Sequence, residues 1–448
     1  MQHHGRADGA VNVQDFLNAH RFSPYQWLIF GLCFVIVLLD GFDTAAIGFI
    51  APSLVQDWGV TRPALAPVLS AALFGLAAGA MAAGPLSDRV GRKLVLALSV
   101  LLFGAACAWS AFASGVTELA ILRFVTGLGL GAAMPNAVTL MSEFCPDRKR
   151  ALLTNAMFCG FPLGAALGGF LAAWMIPLWG WRSVLLLGGL APLLAGLLII
   201  LLLPESVRFL VARGAGHDRI RAILRHVSPS ADAAHAFVTR EAAPADQAGG
   251  GMQVILSRPY VVGTLMLWLT YFMGLMIFYA LINWMPLLLR DAGLSAKDAT
   301  LVSALFPLGG VGAVLAGWLM DRYDANAVIA ACFALTAATI FAIGRSAHDL
   351  ALLMAVVLGA GLAMNTAQAS LPALAAAFYP TRGRATGVAW MMGIGRLGGI
   401  AGSFLVAELA RLRFGIGGIF GVVALAGIVA TLALLVKLAA ERAGKRPA

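Results

Sequence analysis

Two aspartates, Asp40 and Asp43, stand inside an otherwise apolar stretch that runs from Trp27 to Ile50. A stretch of that kind is long enough to cross a bilayer, which takes roughly 20 apolar residues. An ionised carboxylate there costs at least ~2.5 kcal/mol. Three residues apart on a helix, the two acids share one face. Burial and a like-charged neighbour both favour the protonated form of a carboxyl, and an interacting pair titrates as a unit. The chemistry this points to is proton transfer or the binding of something charged. Gly41 between them allows close backbone approach or local unwinding. Two arginines also lie within apolar stretches, Arg123 and Arg396. Arg123 sits early in its stretch, at the depth of the acids, where it could hold one of them ionised. Arg396 sits near the middle of another, flanked by Gly395, Gly398 and Gly399. A guanidinium can grip a carboxylate through two parallel hydrogen bonds, so Arg396 is the candidate for binding an anionic solute.

These groups need a frame, and composition supplies its class. The chain has 448 residues, 60% hydrophobic and 12% charged, with a mean hydropathy of +0.88. A soluble protein of this length carries about 25% charged residues. The apolar runs are long and do not alternate, which excludes a β-barrel and leaves helices as the spanning element. The expected fold is therefore an all-α polytopic membrane protein. Apolar runs separated by polar breaks predict twelve spans, at 26–50, 63–84, 93–113, 117–141, 150–174, 182–203, 259–283, 298–320, 325–345, 350–375, 384–409 and 414–438. The polar stretch 204–258 contains Pro204, Pro229, Pro244 and the run Gly249–Gly251, and reads as a linker dividing the spans six and six. The expected units are a tail at 1–25, a bundle at 26–203, the linker at 204–258, a bundle at 259–438 and a tail at 439–448.

The charges set an orientation. With the N-terminus inside, 22 of the 31 Lys and Arg residues fall on the inner side and 7 on the outer, with Arg123 and Arg396 inside spans. Positive residues concentrate on the cytoplasmic side, so both termini are expected there. The same bias accounts for the net charge of +10, and no basic tract interleaved with aromatics suggests nucleic acid. No apolar core precedes Trp27, so the first span is expected to act as an uncleaved insertion signal. The five cysteines (Cys33, Cys107, Cys145, Cys159 and Cys332) lack metal-ligand spacing and read as small packing residues. No phosphate-binding GxxxxGK[ST] loop, HExxH or GxSxG motif is present, which argues against ATP-driven transport and hydrolytic chemistry. No cofactor is implied beyond the proton as coupling ion.

The halves repeat each other in outline. Gly84-Pro-Leu-Ser-Asp88-Arg89-Val-Gly91-Arg92-Lys93 follows the second span, and Gly317-Trp-Leu-Met-Asp321-Arg322 follows the eighth. Parallel repeats of this kind are a transporter architecture. The first of these loops resembles the GxLaDrxGrk motif of the major facilitator superfamily. Arg123-Phe-Val-Thr-Gly127-Leu-Gly129-Leu-Gly131 resembles its fourth-helix motif, and Pro204-Glu205-Ser206-Val-Arg208 is similar to the element that closes its sixth helix. Asp40-Gly41-Phe42-Asp43 matches the DGxD pattern of the aromatic acid:proton symporter family. Met134–Glu143, Met157–Phe161 and Arg382–Gly399 are also similar to that family.

The resemblance implies a major facilitator fold of two six-helix bundles in a bacterial inner membrane. It implies import of a small aromatic carboxylate, such as 4-hydroxybenzoate or protocatechuate, with protons, through acids of the DGxD motif. A monomer is expected. Such a solute needs flat apolar walls and a few polar contacts. Candidates are Phe42, Tyr279, Asn283 and Trp390, with the amides Asn136, Asn365 and Gln368. The loop residues Gly84, Asp88, Arg89, Gly91 and Arg92, with Asp321 and Arg322, are candidates for conformational gating, with Asp88 expected to pair with Arg148 or Arg150. The rival readings are a carrier of another organic acid or sugar, a drug exporter, and a membrane sensor that binds aromatic acids without moving them.

Overall fold

The computed structural model describes residues 10–234, 236–239, 251–312, 322–346, 349–379 and 381–444, apart from some side chains within the helices. Among the described residues, the helices longer than twelve residues are α1 Pro24–Trp58, α2 Ala66–Val90, α3 Arg92–Ser110, α4 Val116–Glu143, α5 Gly160–Trp179, α6 Trp181–Leu202, α7 Val261–Asp291, α8 Ala296–Leu308, α9 Ala325–Ile343, α10 Leu350–Phe378, α11 Thr381–Arg411 and α12 Ile416–Gly444. All but α8 are long and apolar enough to cross a membrane. After α8 comes a 3-10 turn, Gly309–Gly312, and residues 313–321, including Asp321, lie outside the described residues.

The first helix shows why apolar runs understate helix length. Ser23 accepts from the Gln26 N–H while the Gln26 side chain accepts from the Ser23 N–H, and Pro24 occupies the first turn. Such a capping box satisfies end groups that would otherwise lack partners. The helix then runs without interruption through Asp40–Asp43 and past Pro52 to Trp58, and ends at Gly59 in the left-handed conformation. The segment is therefore not unwound at Gly41. What Gly41 provides is proximity: a Cβ there would lie 1.9 Å from the Phe161 carbonyl oxygen. The last turns of α1 carry Asp57, which accepts from the Trp181 indole at 2.7 Å, so the helix continues into polar surroundings where an apolar count stops.

The side of the helical array that holds the start of α1 is here called the near end, and the opposite side the far end. Residues 10–23 and 204–238 are packed against the first six helices. Val13, Phe16, Leu17, Val207, Leu210, Ile220, Leu224 and Phe237 share one core with the near ends of α1, α3 and α4. One departure from an all-helical chain occurs there: Ala10–Asn12 pairs in parallel with Ala236–Val238. The tail and linker thereby satisfy backbone groups on each other. A second core fills the last six helices and continues into the far ends of α1, α2 and α5. The halves meet at that end. A Cβ on Gly48 would lie 2.2 Å from the Ile282 carbonyl oxygen, Asn283 donates to the Leu69 carbonyl at 3.3 Å, and Arg62 pairs with Asp291.

Candidate functional site

Asp43 and Arg123 are both fully buried and face each other between α1 and α4. Arg123 Nη1 and Nη2 each reach a different carboxylate oxygen at 2.8 Å, and Nη2 also donates to the Asp43 carbonyl at 3.3 Å. This is the fork geometry that makes arginine–carboxylate pairs strong. The Cys107 thiol of α3 donates to Asp43 Oδ1 at 3.1 Å. Taking two charges out of water costs several kcal/mol per ion, and only good geometry offsets it. The geometry here is good, so Asp43 is paired and fixed within the first half.

Asp40 has different neighbours. It is 3% exposed, and its one described hydrogen bond is a long one, from the Thr44 hydroxyl one turn on, at 3.4 Å. Across the boundary between the halves it feels the charge of Arg396 on α11, and Tyr279 of α7 feels both. The separation exceeds ion-pair contact. The two acids share a helix but not a partner: Asp43 belongs to Arg123, whereas Asp40 looks to the second half. Arg396 Nη1 is buried without a hydrogen-bond partner.

An aromatic wall adjoins these charges. Phe161 of α5 and Phe278 of α7 approach across the boundary with ring centroids 6.1 Å apart. Phe278 also contacts Tyr279 and Phe306, at 5.3 and 6.0 Å. Phe161 was not among the sequence candidates, although it sits against Gly41. Nor was Tyr271, which lies two turns before Tyr279 on α7 and feels Arg396. Cys107, read from sequence as a packing residue, is a ligand of the buried ion pair. Helical spacing alone could have found Tyr271. Phe161 and Cys107 needed the helix neighbours.

Several expected contact residues are placed elsewhere. Phe42 points into the first half, where it lies against Gly168 and Gly188, because two residues along a helix turn the side chain roughly 200° from Asp40. Trp390 is 48% exposed and stacks on Trp268 at 6.0 Å. Asn136 donates to the Ala132 carbonyl of its own helix at 2.8 Å. Asn283 bridges Leu69 and the Ser403 hydroxyl, and Asn365 ties α10 to α8 through the Phe306 carbonyl at 3.0 Å. An apolar groove lined by Phe74, Ile121, Phe124 and Phe404 runs between the halves but holds none of the acids or arginines.

The stretch 84–93, expected as a loop, is helical except at Gly91, since α2 runs to Val90 and α3 starts at Arg92, and this junction is gripped within its own half. Gly91 has φ +105°, a conformation that side chains strain to adopt. It exposes the first N–H groups of α3, and Glu205 accepts from Arg92 N and Lys93 N at 2.9 and 3.2 Å. A carboxylate at a helix N-terminus is favourable. Arg92 lies 3.7 Å from Glu143, whose carboxylate also accepts from Ser206, and Arg213 donates to the Arg89 carbonyl. The side chains of Gly84 and Asp88 positions are outside the description. Arg150 is engaged with Asp147 at 2.8 Å and with Gln14. In the second half Asp324, near Arg322, caps α9. Lys437, near the end of the last expected span, is fully buried in α12, bonded to Asn326 and Glu441.

The major facilitator superfamily model matches residues 33–323 and 293–448. The chain belongs to the major facilitator superfamily. Within this superfamily it is 51% identical to the 4-hydroxybenzoate transporter PcaK of Pseudomonas aeruginosa, over 95% of this chain and 96% of the relative. It is 48% identical to a gallate transporter of Pseudomonas putida, over 96% of this chain and 95% of the relative. The fold is also that of a D-xylose–proton symporter crystal structure, with a TM-score of 0.70 and 19% identity over 92% of this chain and 97% of the other. A superfamily member with eleven described helices able to span a bilayer is a multi-pass membrane transporter, not an enzyme.

Proposed function

We propose that this chain imports a small hydroxylated aromatic carboxylate together with a proton. The observation that carries the proposal is the sorting of buried charge: Asp43 is neutralised by Arg123, while Arg396, with a free Nη1, shares its surroundings with Asp40. In the empty carrier Asp40 and Arg396 balance each other. In the loaded carrier a substrate carboxylate takes Arg396 and a proton neutralises Asp40. Both states are electrically balanced at the site. A carrier holding only the anion or only the proton would bury one uncompensated charge, which costs several kcal/mol. The balanced states therefore interconvert between faces far faster, which is symport. Asp43 and Arg123 hold α1 and α4 in register, and Phe161, Phe278 and Tyr279 supply the wall for the ring.

The two halves, 26–203 and 259–438, are proposed to rock about this site, joined by 204–258 and flanked by the tails 1–25 and 439–448. The loop residues Gly84, Asp88, Arg89, Gly91 and Arg92, with Asp321 and Arg322 in the second half, are proposed to govern which side opens. The grip of Glu205 and Glu143 supports that role for the first loop. The asymmetry of basic residues supports both termini being cytoplasmic, the bacterial relatives support a bacterial inner-membrane location, and the transporter is taken to act as a monomer. The relatives named for 4-hydroxybenzoate and gallate support the substrate class.

The test is uptake of labelled 4-hydroxybenzoate by proteoliposomes under an imposed inward-acid gradient. Accumulation that a protonophore abolishes is expected. No accumulation of any benzoate derivative would remove the proposal, and binding without flux would favour a sensor.

A further inference from the structure

We propose that Gln368 and Tyr271 form a subsite for a hydroxyl group on the ring of the substrate, and so select hydroxylated aromatic acids over unsubstituted ones. The inference rests on the transport reading above and goes beyond it in assigning the discriminating contact. Gln368 lies on α10, and both its amide oxygen and its amide nitrogen are buried without a hydrogen-bond partner. An unsatisfied buried polar group is costly, and native structures rarely keep one without a use. The amide is lodged against α7 at Gly274, where a Cβ would lie 2.0 Å from Oε1. A residue with any side chain at 274 would expel the amide, so the backbone there is shaped to receive it.

The surroundings of the amide belong to the proposed site. Tyr271, one turn before Gly274, lies beside Gln368, and its ring packs on Gly395, next to Arg396, where a Cβ would lie 2.2 Å from Tyr271 Cδ1. Tyr279 links onward to Arg396 and Asp40. Two sets of unsatisfied polar atoms, Arg396 Nη1 and the Gln368 amide, thus lie in the neighbourhood of one tyrosine. The other amides nearby are occupied, Asn365 by the Phe306 and Gly361 carbonyls and Asn283 by Leu69 and Ser403.

A ligand that satisfies both sets needs a carboxylate at one end and a group at the other that can donate and accept. A phenolic hydroxyl does both, and the Gln368 amide offers an acceptor and donors to match. Unsubstituted benzoate would leave the amide unpaired. A site built to hydrogen-bond a hydroxyl rejects an analogue that lacks it for that reason.

The experiment measures uptake of 4-hydroxybenzoate, and its inhibition by benzoate, in proteoliposomes of the wild type, Gln368→Leu and Tyr271→Phe. The preference for 4-hydroxybenzoate over benzoate is expected to fall roughly two- to tenfold in Gln368→Leu, the factor that one neutral hydrogen bond corresponds to. The fall should come through KM for the hydroxylated acid, and Tyr271→Phe, which removes only an oxygen, should shift the preference in the same direction. An unchanged preference in both variants, with the wild type transporting normally, overturns the subsite and leaves the transport reading standing. Should Gln368→Leu fail to fold, Tyr271→Phe decides alone. A wild type that moves no benzoate derivative overturns the transport reading and the subsite with it.

Discussion

At the scale of single residues, the division between Asp40 and Asp43 makes different predictions for two similar substitutions. Asp43→Asn leaves the Arg123 guanidinium fully buried without its carboxylate. Breaking a buried pair from one side costs about 3–5 kcal/mol, so the melting temperature in detergent should drop markedly. Adding Arg123→Leu removes the orphaned charge and should recover most of that loss without restoring proton-driven uptake. Asp40→Asn breaks no ion-pair contact but leaves Arg396 without its balancing charge, so the substrate-free protein should lose less stability than Asp43→Asn and regain it when 4-hydroxybenzoate is bound. It should still exchange labelled for unlabelled substrate across a vesicle membrane, yet fail to accumulate it under a proton gradient. The acids and both arginines were legible in the sequence, because charge in an apolar run is conspicuous and depth can be counted along a helix. Their partners were less so. Depth brought Arg123 to both acids alike, and only the azimuth around α1 separates Asp43, which meets α4, from Asp40, which meets the second half. The same rotation turns Phe42 away from the boundary.

At the scale of elements, the reading from apolar runs located the helices but not their ends. The first helix outlasts its apolar stretch by eight residues, from the expected end at 50 to Trp58, because a helix stops at its cap and not where lipid stops. The parallel pairing of Ala10–Asn12 with Ala236–Val238 joins segments more than 200 residues apart, and no local pattern announces such a contact. The 84–93 loop was legible as a motif, but its holder Glu205 was visible only as part of another motif. That contact gives an element-scale prediction. Gly91→Ala places a Cβ 2.3 Å from Glu205 Oε2 on a backbone at φ +105°. The strain of roughly 1–3 kcal/mol should displace Glu205 from the start of α3. Initial-rate uptake should then show a lower maximal rate with KM near that of the wild type, since the substrate site lies elsewhere. A raised KM with an unchanged maximal rate would argue against a gating role.

At the scale of the whole molecule, the halves are joined at the far end through Gly48, Asn283 and the Arg62–Asp291 pair, so transport requires that seal to part. Asp291→Lys sets like charges against each other there and should shift the population toward opening at the far end. Spin labels on the far ends of the two halves should report a longer distance in that variant. The balance of charge at the centre decides when such opening is allowed, and it can be tested without a membrane. Purified protein in weakly buffered detergent solution near neutral pH is mixed with 4-hydroxybenzoate while a pH indicator follows proton exchange. The wild type should take up a proton as substrate binds, and Asp40→Asn should bind substrate with no proton uptake. Proton uptake that persists in Asp40→Asn, or binding by the wild type that leaves the pH unchanged, would contradict the assignment of the coupling proton to Asp40.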